Sequence, residues 1–158
     1  MALVRRLTFL VAVAFLAFAP VAAALGFNGL WVLDLKASQD VLDSQKGVDL
    51  KISLRGNELT ILREVAGKTI GTRQLFLIDG RTRQMEVAGG QVAQVETKWL
   101  VPGTKLQQTI RISIAGSPVP AVQTTVMELS ADGQTLTRVQ SLDQTGDATE
   151  RKMVYRRR

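Results

Sequence analysis

The chain has 158 residues, with 20 Lys+Arg against 14 Asp+Glu for a formal net charge of +6, and it contains neither histidine nor cysteine. Those two absences exclude the commonest general base, a thiol nucleophile, disulfide staples and most transition-metal sites. Its serines have no imidazole to activate them, so the chain is not expected to be an enzyme, and no metal or cofactor is expected.

The first element is a leader. Arg5 and Arg6 are followed by an apolar run over residues 7–19, interrupted only by Thr8; Pro20 breaks the run and Ala22-Ala23-Ala24 offers the small-x-small pattern a signal peptidase reads. Residues 1–24 are expected to be a helical signal peptide, with residues 25–158 a single domain starting near Leu25. The alternative is an uncleaved anchor, since the run approaches the length of a bilayer span. Phe9-Leu10 lie one place too far along for twin-arginine export, so general secretion is expected. Without cysteine, no lipid can be attached at the cleavage site. The expected location is the periplasm or the outside of the cell.

Beyond the leader, period-2 alternation dominates. Residues 27–35, opening Phe27-Asn28-Gly29-Leu30-Trp31, read as a first strand, and 38–44 as one short helical turn. Val48, Leu50, Ile52 and Leu54 then alternate with Asp49, Lys51, Ser53 and Arg55. A turn at 55–58 leads to Leu59, Ile61 and Val65, and a second at 66–68 leads to a strand over 69–78. Asp79-Gly80 is a hairpin signal that accepts positive φ. Strands over 82–87 and 92–100 flank a glycine turn at 88–91, and Pro102-Gly103 ends the second of them. In 105–114, Leu106, Ile110, Ile112 and Ile114 share a face. A wider loop at 115–121 carries Pro118 and Pro120, and strands over 122–129, 135–142 and 148–156 complete the series.

About ten strands with short turns indicate an all-β fold. Gly56-x-x-Leu59-Thr60 recurs as Gly133-x-x-Leu136-Thr137, an echo that similar hairpins produce without duplication. A ten-stranded antiparallel meander leaves two bare edges unless it closes, so an up-and-down barrel is expected. An outer-membrane barrel is disfavoured, because aromatics make up only 5% of the chain and cannot supply the interfacial girdles. Residues 143–147 have a faint look of a calcium loop but lack its later bidentate acid, so an ordinary turn is expected.

Two of the twenty basic residues fall in the leader and five in the last eight residues, leaving thirteen basics against fourteen acids in the body between. The high isoelectric point is therefore mostly a tail property. A nucleic-acid binder would spread its basic residues along a face, so nucleic acid is not an expected partner. The tail reads first as a solvated terminus, with weak contact to anionic lipid as the further reading.

Gly29-Leu30-Trp31 on the first strand, the run Trp31 to Ser38, the repeated Gly-x-x-Leu-Thr hairpins and the final Met153-Val154-Tyr155-Arg156 together resemble small bacterial secreted members of the lipocalin-like (calycin-type) barrels. The resemblance loosely covers the whole mature chain. It implies that Trp31 plugs the closed end of the barrel under a basic side chain from near the last strand. Arg156 is the expected partner, within the run Arg156 to Arg158, and such a cation–π contact is worth about 0.5–2 kcal/mol. The usual Thr-Asp-Tyr motif, a disulfide and a helix after the last strand are all missing.

The candidate binding residues are those that alternation turns inward. Gln108 shares the face of Leu106, Ile110 and Ile112, and Arg63 that of Leu59, Ile61 and Val65. Trp99 shares the face of Val95 and Thr97, and Arg151 and Tyr155 share the face of Met153. An apolar cavity with one or two inward cations suits a small hydrophobic or amphipathic ligand with an acidic head. The competing reading is a solid-cored envelope domain that acts through its surface and has no small-molecule ligand.

Overall fold

The computed structural model describes residues 26–87, 91–144 and 147–158. The expected leader and its cleavage site, most of the glycine turn at 88–91 and the centre of the 143–147 loop lie outside the described residues. Ten strands follow in order: β1 Gly29–Leu33, β2 Val48–Arg55, β3 Glu58–Val65, β4 Lys68–Leu77, β5 Arg83–Val87, β6 Gln91–Val101, β7 Lys105–Ile112, β8 Ala121–Leu129, β9 Thr135–Gln144 and β10 Asp147–Arg157. Their spatial order is β4-β3-β2-β1-β10-β9-β8-β7-β6-β5, all antiparallel. The meander therefore pairs its first strand with its last and curls around one core.

Alternation builds that core. On β2, Val48, Leu50 and Ile52 are buried while Lys51 between them is exposed. Across the sheet, Leu59, Leu106, Leu136 and Met153 are at most 1% exposed. Burying each such side chain contributes about 1.5–3 kcal/mol.

Two expectations are corrected. The helical turn at 38–44 is only a 3₁₀ turn at Asp43–Gln45. Ser38 accepts the Val154 N–H at 2.9 Å, and Gln39 exchanges backbone hydrogen bonds with Lys152 at 2.7 and 3.1 Å. Residues fastened to β10 in this way cannot also close a helix. The second correction concerns closure. Asp79-Gly80 does not make a hairpin, because β4 and β5 are the two ends of the sheet and do not pair. Instead the Ile78 N–H donates to the Asn57 carbonyl at 2.8 Å and the Gly80 N–H to the Thr97 carbonyl at 3.0 Å. Those bonds bind the link to the base, and a seam stays open between β4 and β5.

The base itself is plugged. Trp31 is fully buried and donates its indole N–H to the Phe27 carbonyl at 2.9 Å. The guanidinium over its ring belongs to Arg157, 4.3 Å from the centroid, and not to Arg156. Parity explains the correction: Trp31 pairs with Arg157 across β1 and β10, which turns Arg156 outward. There Arg156 meets Asp34 at 3.1 Å and the Thr135 hydroxyl at 2.8 Å. Arg157 also donates to the carbonyls of Gly133 at 2.8 Å, Gly26 at 2.6 Å and Asn28. Gly29 makes room for it. A Cβ there would lie 2.8 Å from Arg157 Nη1, and the backbone has a φ of 140°. Side chains rarely adopt that φ, so the Gly of Gly-x-Trp is required on both counts.

Arg157→Ala is expected to destabilise the fold by about 2 kcal/mol, by loss of the ring contact and of charge-assisted hydrogen bonds. Arg156→Ala, which breaks an exposed ion pair and an exposed hydrogen bond to Thr135, is expected to leave the urea midpoint almost unmoved. Equal midpoints for the two variants would refute this assignment.

Candidate ligand-binding cavity

The register from β6 to β10 sorts inward side chains into rows. One row runs Trp99, Leu106, Met127, Arg138, Met153. The next runs Thr97, Gln108, Thr125, Gln140, Arg151, and the one after it Val95, Ile110, Gln123, Leu142, Thr149. Facing them from the other limb of the sheet are Leu50 paired with Arg63, Ile52 with Ile61, and Leu54 with Leu59.

Between the two limbs lies a cavity of about 320 Å³. That falls within the range of roughly 300–1,000 Å³ typical of small-molecule sites. Leu50, Leu59, Ile61, Phe76, Leu106, Ile110, Ile112 and Met127 give it apolar walls. Gln74 and Phe76 from one face of β4 line it, but so do Arg73 and Leu75 from the other, and β5 contributes both Met85 and Glu86. A cavity reaching both faces of two unpaired edge strands opens at their seam. β4 is bent there: between the Ile61–Gln74 and Arg63–Ile70 pairs it carries three residues against one on β3. Gly71, at φ 69°, supplies the left-handed backbone for that bulge.

Three arginines line the cavity, Arg63 and Arg73 exposed and Arg138 half-buried, against one acidic residue, Glu86. Arg73 donates to the Thr60 hydroxyl at 3.2 Å. Among the described residues, neither Arg63 nor Arg138 forms an ion pair. Beside them, Tyr155 is 2% exposed, and its hydroxyl donates to the Met153 thioether at 3.8 Å. Burial raises the Tyr155 pKa above its ordinary value of 10.0; the charge and hydrogen bond of Arg138 oppose the rise, as does Arg63 more weakly, and Asp49 adds to it. A phenol held neutral, with only a weak sulfur acceptor, has capacity to donate to a better one.

Of the residues chosen from sequence, the structure brings Arg63 and Gln108 to the cavity wall. Tyr155 lies beneath, within the field of both inward arginines. Arg151 stands half-buried in the polar row but outside the cavity wall. Trp99 is not at the cavity. Its ring packs 5.8 Å from that of Phe27, next to the Trp31 plug, so its role is structural. Alternation put Trp99 on the correct face, but its place along β6 carries it to the base. Arg138, Gln140 and Thr125 were missed. The parity count that places Gln108 inside also places Arg138 and Gln140 on the face of Leu136, so the signal was present in β9.

No family model matches the sequence, and no curated protein matches it. Solved structures do. A Schistosoma mansoni fatty-acid-binding protein in complex with arachidonic acid matches with a TM-score of 0.59 and 18% identity, over 85% of this chain and 98% of its own. A zebrafish ileal bile-acid-binding protein complexed with cholic acid matches at 0.53 and 16%, over 84% and 98%. A heat-soluble (SAHS) protein from Ramazzottius varieornatus matches at 0.59 and 12%, over 84% and 95%. The chain thus has the curled ten-stranded antiparallel fold of the fatty-acid-binding and lipocalin-like calycin proteins.

Tyr155 is the chain's one tyrosine, so its ionisation can be followed by ultraviolet absorbance without interference from another phenol. The midpoint is expected above 10. Because the folded pKa is raised, the stability Tyr155 contributes is complete below pH 10 and is lost as pH rises through the folded value. A midpoint at or below 10 in the folded protein would place Tyr155 in solvent or beside a stronger positive field.

Proposed function

We propose that this chain binds one small anionic amphiphile, a long-chain fatty acid or an acid of similar shape, with its acidic head beside Arg63 and Arg138 and its apolar body against Leu59, Ile61, Leu106 and Met127. The observation that carries this reading is two arginines at the cavity wall, the half-buried Arg138 and the exposed Arg63, that have no carboxylate partner among the described residues and stand beside apolar side chains. Such groups are favourable only when an anion or water meets them. The seam between β4 and β5 provides the entrance. The role is one of carriage or sequestration and not of catalysis.

The same reading has the chain exported, with residues 1–24 removed and the domain 25–158 acting in the periplasm or outside the cell. The basis is the leader's charge, apolar run and alanine cluster. A weak contact of the C-terminal tail with anionic lipid is a secondary part of the proposal. Its charge comes from Lys152 and Arg158, since Arg157 is occupied at the base and Arg156 pairs with Asp34. A solid-cored domain acting only through its surface is the less favoured reading, because a cavity of about 320 Å³ separates the two limbs of the sheet.

Native mass spectrometry of protein purified from a bacterial envelope should reveal a co-purifying lipid mass, and the delipidated protein should bind a fluorescent fatty-acid probe that oleate displaces. Replacing Arg138 or Arg63 by Gln should weaken oleate binding about tenfold each, as expected for loss of a charge-assisted hydrogen bond, while affinity for the matching fatty alcohol stays within about threefold. A clean unliganded mass together with no probe binding would overturn the proposal.

A further inference from the structure

The row Thr97, Gln108, Thr125, Gln140, Arg151 differs from its neighbours in being polar along its whole length. Its first four members are between 2% and 9% exposed. Three of their oxygens, Thr97 Oγ1, Thr125 Oγ1 and Gln140 Oε1, are buried with no hydrogen-bond partner. Leaving such atoms unpaired is unfavourable, and a valine in place of either threonine would fill the same space without that penalty. Thr125 and Gln108 line the cavity, with Gln140 directly across from Thr125 on β9 and Thr97 directly across from Gln108 on β6. Cross-strand neighbours stand about 4.5–5.5 Å apart, so Thr125 on the cavity wall has Gln108 on one side and Gln140 on the other within reach, while Thr97 stands one strand further off; Gln140 and Thr97 flank the lining and are not part of it.

Resting on the proposed binding of an anionic amphiphile, we propose that this row recognises a hydroxyl group on the ligand's apolar body, so that the preferred ligand is a hydroxylated acid and not a plain fatty acid. The amide oxygen of Gln140 lacks a donor, and the threonine hydroxyls, which can both donate and accept, lack any partner. An alkyl chain offers neither, and an anionic group could only accept, leaving the Gln140 oxygen unpaired. A hydroxyl donates to one oxygen and accepts from a threonine hydroxyl or a glutamine amide. The spacing follows from the strand. Gln140 lies two residues from Arg138 on β9, about 7 Å along it, which separates the hydroxyl from the acidic head by several carbon atoms.

The test is the affinity of delipidated full-length protein for octadecanoic acid and for its 3-, 6-, 10- and 12-hydroxy derivatives, by calorimetry. At least one derivative is expected to bind about tenfold tighter than octadecanoic acid, the effect of one added buried hydrogen bond. Thr125→Val and Gln140→Leu should each reduce that preference to near unity. Retention of the preference in both variants would overturn the assignment to this row. If all five acids bind within about threefold of one another, the row holds only water and the inference fails while the binding proposal stands. If none binds, both fail together. Either valine or leucine variant that does not fold is replaced by Gln108→Leu, with the same ratio as the readout.

Discussion

Arg157 joins parts of the chain that lie more than a hundred residues apart, and the rest of the architecture hangs on that contact. Its guanidinium covers the buried Trp31 ring and is held there by carbonyls from residues 26 and 28 on one side and 133 on the other, which receive its N–H groups. This fixes the base where β1 meets β10. The base is extended by Phe27 and Trp99 and by the bonds from residues 78 and 80 that tie the β4–β5 link beneath the core. With the sheet closed at one end by side chains, its two end strands need not pair to keep the curl.

That freedom is what makes an interior. A meander closed by hydrogen bonds all round would admit a ligand only at its mouth, whereas here the cavity reaches the seam between β4 and β5. Unpaired edges ordinarily invite association with other strands. The bulge at Gly71 bends one of them, and Arg73 and Glu86 place charge on the two sides of the opening. The half-buried Arg138 and the buried polar row would be serious liabilities in a dry, filled core. They become useful when the space beside them receives a molecule with matching groups.

Much of this was legible in the residues, because β-structure imposes a parity that a sequence displays directly. Counting by twos along β7 places Gln108 inside, as found; along β3 it places Arg63 on the face of Leu59 and Ile61, and there it reaches the cavity wall while staying exposed. The same count along β10, through Met153 and Tyr155, reaches Arg157 and not Arg156, so the plug's true partner was available to arithmetic. What parity cannot give is height along the barrel. Trp99 and Thr97 share a face with Val95, yet Trp99 belongs to the base because it stands near the end of β6, where its ring meets Phe27. Nor can a local turn signal report a tertiary outcome: Asp79-Gly80 has the chemistry of a hairpin, but residues 78 and 80 find better partners on the chain segments below. Asp79 does close a local turn, taking the Arg81 N–H at 3.0 Å and pairing with Arg83, and this holds its carboxyl below the usual carboxylate range.

In the proposed function the interior receives an acid whose charged head meets Arg63 and Arg138. Carbon-13 NMR of carboxyl-labelled oleate bound to the protein, titrated with acid, reads that head directly. A bound resonance that stays ionised well below the pH at which an exposed carboxylate protonates is the predicted result, since neighbouring guanidiniums favour the charged form. A bound carboxyl that titrates as it does in water, or the absence of any bound resonance, would contradict the account.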